Sequence, residues 1–163
     1  MKLNFKSPVL LLLVFAVTQS TLAQDRAKVL GIWGLVSYEV ESQATGQREP
    51  VLGNNPTGYI IFTPEGRMMV VLTGEGRKAP NTDQDRADLL KSLVAYTGMY
   101  RIEGDKWITK VDVSANPAWV GDEQTRFFRV DGGRLQESTA FMQWAVRPEK
   151  GMVRFILTWE RAK

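Results

Sequence analysis

The 163-residue chain contains no histidine and no cysteine. Without cysteine there is no disulfide, no thiol nucleophile and no thiolate metal site. Without histidine the side chain that most often moves protons near neutral pH is missing. Acid–base chemistry is left to carboxylates, lysine and tyrosine, whose pKa values burial can move. No nucleophile elbow, phosphate loop or metal-ligand spacing occurs either, so neither a metal nor a cofactor is expected. Asn55-Pro56-Thr57 is not a glycosylation acceptor, because proline occupies its middle position.

Long apolar runs are also scarce. The one unbroken run, Val9 to Val17, is nine residues long, well short of the roughly 20 that a spanning helix needs. It follows Lys2 and Lys6 and ends in Thr21-Leu22-Ala23, with small residues where a signal peptidase reads. Residues 1–23 are therefore expected to be a signal peptide cleaved after Ala23, leaving an exported protein, periplasmic or secreted, with no stable membrane span. A lipid anchor would need a cysteine at that site.

Removing the segment takes away two lysines and leaves 19 basic against 18 acidic residues, a net charge of +1. The sequence pI of about 9.3 thus overstates the basicity of the mature protein. No clustered basic face is left for a nucleic-acid partner. Residues 24–163 suffice for one domain with a sizeable core.

What the chain does have is a rhythm of short β-type runs between Gly-containing turns. Eight strands are predicted: Trp33–Glu41, Gly58–Thr63, Arg67–Thr73, Tyr96–Ile102, Trp107–Ser114, Glu123–Val130, Leu135–Phe141 and Met152–Glu160. In the first, Val36, Tyr38 and Val40 share one side. Pro64-Glu65-Gly66 makes a hairpin of the second and third, proline presetting φ and glycine accepting a positive one. Short turns at Gly104-Asp105, Asp131-Gly132-Gly133 and Pro148-Glu149-Lys150-Gly151 continue the meander.

Between Thr82 and Ala95 the period changes to that of a helix. Ala87, Leu90, Leu93 and Val94 form an apolar stripe, expected to pack on the barrel wall or over one mouth. Thr82 is a cap, and Asp83, Asp85 and Asp88 suit the positive helix end. The fold class is thus all-β: an eight-stranded up-and-down antiparallel barrel with one α-helix between the third and fourth strands. Closure removes both sheet edges, and at eight strands the interior is either filled or just wide enough for one small ligand.

Five stretches, in order along the chain, resemble a known family. Leu30-Gly31-Ile32-Trp33-Gly34-Leu35-Val36-Ser37-Tyr38 looks like the Gly-x-Trp start of lipocalins. The runs Gly58 to Met68, Tyr96-Thr97-Gly98-Met99-Tyr100, Asn116 to Gly121 with Gln124 and Arg126, and Leu157 to Arg161 are similar to the bacterial lipocalin-like domain family, a likeness that covers about Leu30 to Arg161. The resemblance implies that Arg161 stacks on Trp33 as a structural plug of the barrel. It also implies that histidines often found on the fifth strand of that family are replaced here by Thr109-Lys110.

Tyr38, Tyr59, Tyr100, Trp107, Phe128 and Trp144 offer apolar walls with hydrogen-bonding tips, as ligand pockets do, and equally suit an ordinary strand core. Gln124, Arg126 and Phe128 share one strand face. An inward Arg126 near Glu137 anchors a carboxylate or polarises a carbonyl; otherwise it lies outside, or forms a structural ion pair with Glu137. Trp119, in the loop before the sixth strand, either caps the barrel or guards its mouth. Gly74 to Asn81, with Arg77 and Lys78, forms a second lip.

The ligand-binding set expected is Tyr38, Tyr59, Tyr100, Trp119, Gln124, Arg126 and Phe128. The leading expectation is an exported binding protein or carrier for a small hydrophobic molecule. The alternatives are a metal-free isomerase, cyclase or dehydratase, and a filled barrel that docks a protein on its outer face. A buried, strongly shifted ionisable group would mark the enzyme.

Overall fold

A computed structural model describes residues 26–162; the predicted signal segment lies outside them. A helical turn over 26–29 leads into β1 (Gly31–Ser42), β2 (Arg48–Pro50), β3 (Thr57–Phe62), β4 (Arg67–Thr73), α1 (Asp83–Lys91), β5 (Leu93–Glu103), β6 (Lys106–Ser114), β7 (Glu123–Asp131), β8 (Arg134–Ser138), β9 (Met142–Gln143) and β10 (Met152–Arg161). The long strands pair antiparallel in the order β1-β3-β4-β5-β6-β7-β8-β10, and β1 pairs with β10 to close the barrel. The short β2 and β9 extend from β1 and β10.

Alternation places the core. β4 buries Met68, Val70 and Leu72 and exposes Met69 and Val71, and its neighbours follow the same period. In β1 a bulge between Leu35 and Ser37 breaks the phase. Trp33 faces in before it and Tyr38 and Val40 after it, whereas Val36, predicted on their side, is outside.

The helix also departs from expectation. It lies between the third and fourth barrel strands, yet after β4 in chain order, because β2 intervenes. It buries no residue. Leu93 and Val94, expected in its apolar stripe, pair with Thr73 and Leu72 as the start of β5. The short helix that remains is secured locally: Thr82 and Asp85 form a capping box, and Arg86–Asp83 and Lys91–Asp88 bridge successive turns.

The up-and-down path sorts the links to two ends. The tight turns β3–β4, β5–β6 and β7–β8 lie with the start of β1 and the end of β10. The longer links, 43–56, 74–92, 115–122 and 139–151, surround the other end, the mouth. Two of them are joined, since Glu75 accepts from the Asn54 backbone N–H (2.9 Å) and the Asn55 side-chain amide (2.8 Å).

The narrow end is filled by aromatic rings. Phe62 packs edge-on against Tyr100 and Trp107, with centroids 5.1 and 5.0 Å away, and Trp107 lies 5.3 Å from Phe128. Trp33, fully buried, donates its indole N–H to the Val29 carbonyl at 2.8 Å. The guanidinium carbon of Arg161 sits 4.0 Å above the Trp33 ring centroid, and its nitrogens donate to the carbonyls of Leu30 and Lys28. Gly31 has φ +109°, and a Cβ there would meet Arg161 at 2.7 Å.

Gly98 marks a second close approach. It sits at the β5 bulge opposite β6, and a Cβ there would lie 2.0 Å from the Lys110 carbonyl oxygen. Gly98→Ala is expected to lose about 2 kcal/mol or more of stability, read from the urea midpoint. Arg161→Ala is expected to lose about 1–2 kcal/mol, read the same way, through its cation–π contact and two carbonyl bonds.

Candidate functional site in the barrel interior

Directly opposed residues of an antiparallel pair share a face, so the register shows which polar side chains enter the barrel. Arg126 is opposite buried Trp107, and Gln124 is opposite buried Thr109. Glu137 is opposite Phe128 on one side and Leu157 on the other, Tyr38 is opposite Leu157, and Tyr96 is opposite Val70. Tyr38, Tyr96, Arg126 and Glu137 thus reach the interior from four strands and lie within electrostatic reach of one another.

Arg126 is the centre of this group. It donates to its neighbour's carbonyl, Thr125 O, at 2.9 Å and to Gln124 Oε1 at 3.4 Å. No carboxylate among the described residues forms an ion pair with it. Burial works against its charge, yet Tyr96, Glu137 and Tyr38 hold its pKa above the ordinary value, so it stays a cation. It also keeps part of its accessible surface although its register faces inward. Tyr38, Gln124, Phe128 and Phe155 are half-buried in the same way, so side chains that face inward at this level keep contact with solvent.

Burial pushes Glu137 up to about 7, against the lowering effects of Arg126 and of the hydrogen bond from Trp159 Nε1 at 3.2 Å. Its other oxygen, Oε2, is buried without a partner, as are Thr109 Oγ1 and Trp107 Nε1. Burial likewise raises the pKa of Tyr38 and Tyr96, which remain neutral hydroxyls at physiological pH. The interior therefore offers one unneutralised cation, neutral donors, and a carboxyl that can take or release a proton near neutrality.

The candidate residues read from the sequence divide between this group and other places. Tyr38, Gln124, Arg126 and Phe128 face the interior, and Arg126 is neither outside nor ion-paired with Glu137. Trp119, held in a single 3-10 turn (Pro117–Trp119), meets Tyr96 edge-on at 5.7 Å and overhangs the interior from the mouth. Tyr59 does not line the barrel: it is 57% exposed on the outer face of β3, across from Gly34 and Val71. Tyr100 faces in but lies in the packed narrow end, its hydroxyl on the Thr63 carbonyl at 3.4 Å. Lys110 lies outside and donates to the Gly121 carbonyl, whereas its neighbour Thr109 is inside. Arg77 and Lys78 of the lip are exposed.

Tyr96 and Thr109 are members that sequence reasoning left out. The period-2 series Val94, Tyr96, Gly98, Tyr100, Ile102 places Tyr96 on the inner face once β5 is started at Leu93. A cleft of about 490 Å3 on the outside of the narrow end, lined by Arg26, Leu30, Pro64, Tyr100 and Arg101 among others, lacks comparable chemistry. Arg26 is committed there to the Pro64 carbonyl at 2.6 Å and to the Tyr100 ring.

A family model described as a lipocalin-like domain matches residues 30–162. Among solved structures, a lipocalin-like protein from Bacteroides uniformis is similar at 14% identity and a TM-score of 0.45, covering 83% of this chain and 99% of its own. An uncharacterized protein from Bacteroides eggerthii is similar at 11% identity and 0.40, with 80% and 98% covered. No curated protein matches the chain significantly.

Glu137 gives a signed test. Its folded pKa of about 7 lies above the ordinary carboxylate value of 4.5. Its contribution is fully favourable below about 4.5 and is lost as pH rises through about 7. Glu137→Gln is expected to gain stability relative to the parent between pH 5 and 8, on the order of 3 kcal/mol. Urea midpoints of both proteins across that range measure it; a constant difference would place the carboxyl in an ordinary environment.

Proposed function

The chain belongs to the lipocalin-like domain family, and from that premise we propose that it is an exported protein, periplasmic or secreted, that binds or carries one small, largely apolar molecule in the upper half of its barrel. The observation that carries this reading is the contrast between the two halves of the interior. The narrow end is packed with Trp33, Phe62, Tyr100 and Trp107. Above it, Tyr38, Gln124, Arg126, Phe128 and Phe155 keep accessible surface although they face inward. Apolar walls with a few convergent polar groups are the usual composition of a ligand site. Export is supported by the basic start, the Val9–Val17 run and the small residues before Gln24.

A second reading, a metal-free isomerase, cyclase or dehydratase, is favoured by Glu137, an inward carboxyl near neutral pKa beside a cation. Its unpartnered oxygen has almost no accessible surface, which favours binding over catalysis.

Native mass spectrometry of the mature protein, purified gently from its own host, tests the leading reading. A stoichiometric small-molecule adduct that Trp119→Ala weakens is the expected result. A clean apo mass, together with no affinity for a panel of apolar ring compounds and polyenes, would overturn it.

A further inference from the structure

The reading above leaves the ligand's chemistry open, and the interior charges constrain it. Arg126 is a cation inside the barrel with no carboxylate partner among the described residues. Glu137, the ionisable acid within its reach, does not form an ion pair with it. An uncompensated buried charge is unfavourable. The groups beside Arg126, the hydroxyls of Tyr38 and Tyr96, are hydrogen-bond donors when neutral and form no hydrogen bond with another described residue. A cation flanked by unused donors suits an oxyanion.

The position of Arg126 sets the orientation and size. Below it, Leu135 and Trp159 are buried in the core and Val130 packs against it. Above it, β7 continues only to Glu123, a rise of roughly 8 Å for a strand tilted by about 40°. Apart from Gln124 and Thr109, the walls and rim at that level are apolar: Leu72, Val94 and Val111 on the strands, and Trp119 and Leu52 from the loops. The available space has its charge at the floor and its apolar surface toward the mouth.

Resting on the binding reading, we propose that the ligand is a compact amphipathic organic acid that enters head first, with its anion on Arg126 beside Tyr38 and Tyr96 and its ring system under Trp119, and that Glu137 takes up a proton as it binds. The groups that face Glu137 are Arg126 from β7, Tyr38 from β1 and Tyr96 from β5. β10 contributes the Trp159 N–H, and the inward residues of β4 and β6 carry no ionisable group. An anion placed among them favours the neutral carboxyl, and by linkage its affinity falls as pH rises through about 7, where Glu137 titrates.

Tryptophan quenching with three probes tests this: naphthalene-2-carboxylate, its neutral analogue naphthalene-2-methanol, and hexadecanoate. The expected result for the unmodified protein at pH 6.5 is tighter binding of the naphthalene acid than of the alcohol, on the order of ten- to a hundredfold. Between pH 6 and 8.5 the acid should weaken on the order of tenfold and the alcohol should not change. Arg126→Met should abolish the preference while retaining the alcohol, but the unmodified protein decides the question even if that variant misfolds. Equal affinity of acid and alcohol would overturn the head-group assignment and leave the binding reading standing. Tighter binding of hexadecanoate would overturn the compact ligand. Failure of all three probes to bind would overturn the proposal and the binding reading together.

Discussion

The aromatic packing at the narrow end is the constraint on which the rest of the molecule depends. Trp33, Phe62, Trp107 and Trp159 are almost entirely buried, and fully burying large apolar side chains stabilises by roughly 1.5–3 kcal/mol each. Concentrating that burial at and below the level of Arg126 leaves the inward side chains of the upper half partly accessible. If the same residues were spread evenly along the barrel, the Arg126 guanidinium would have to be packed over or expelled.

The polar interior carries a cost that the architecture tolerates. Trp107 Nε1, Thr109 Oγ1 and Glu137 Oε2 are buried without partners, each a loss of about 1–3 kcal/mol relative to a satisfied group. Elsewhere a nearly buried carboxylate is matched by cations. Glu41 is bound by Arg48 and Arg154, each at 2.7 Å, and these bonds hold its pKa below the ordinary range, although Arg154 Nε in that cluster is also without a partner. The contrast between Glu41, with two arginines, and Arg126, with no carboxylate, separates a structural ion cluster from a site prepared for something else.

Much of the architecture was legible because barrel strands write their period directly into the sequence. All eight long strands are present where alternation and turn residues put them, and Arg67–Thr73 has the same bounds in both, but the strand expected over Leu135–Phe141 ends at Ser138. The misreadings have local causes. Leu93 and Val94 fit a helical stripe as well as the first residues of a strand, and only their pairing with β4 decides between them. Val36 is outside because a bulge, which no residue type announces, resets the phase of β1 between Leu35 and Ser37. Tyr38 and Tyr59 look alike in sequence but lie on opposite sides of the wall, since a tyrosine suits either face of a strand. The pairing of Arg126 with Trp107 and of Glu137 with Phe128 depends on register, which turn types fix only approximately.

The seam of the barrel joins its first long strand to its last, with Trp33 opposite Arg161. The contacts that seal the wall are thus among the longest in sequence separation, and loop-closure entropy opposes them until the intervening meander is in place. Until β10 arrives, β1 and β8 both present unpaired backbone edges, the form of a β-protein most exposed to intermolecular pairing. A chain interrupted before Met152 would keep most of its apolar residues but have no closed surface. Its failure would be aggregation through those edges rather than loss of a ligand.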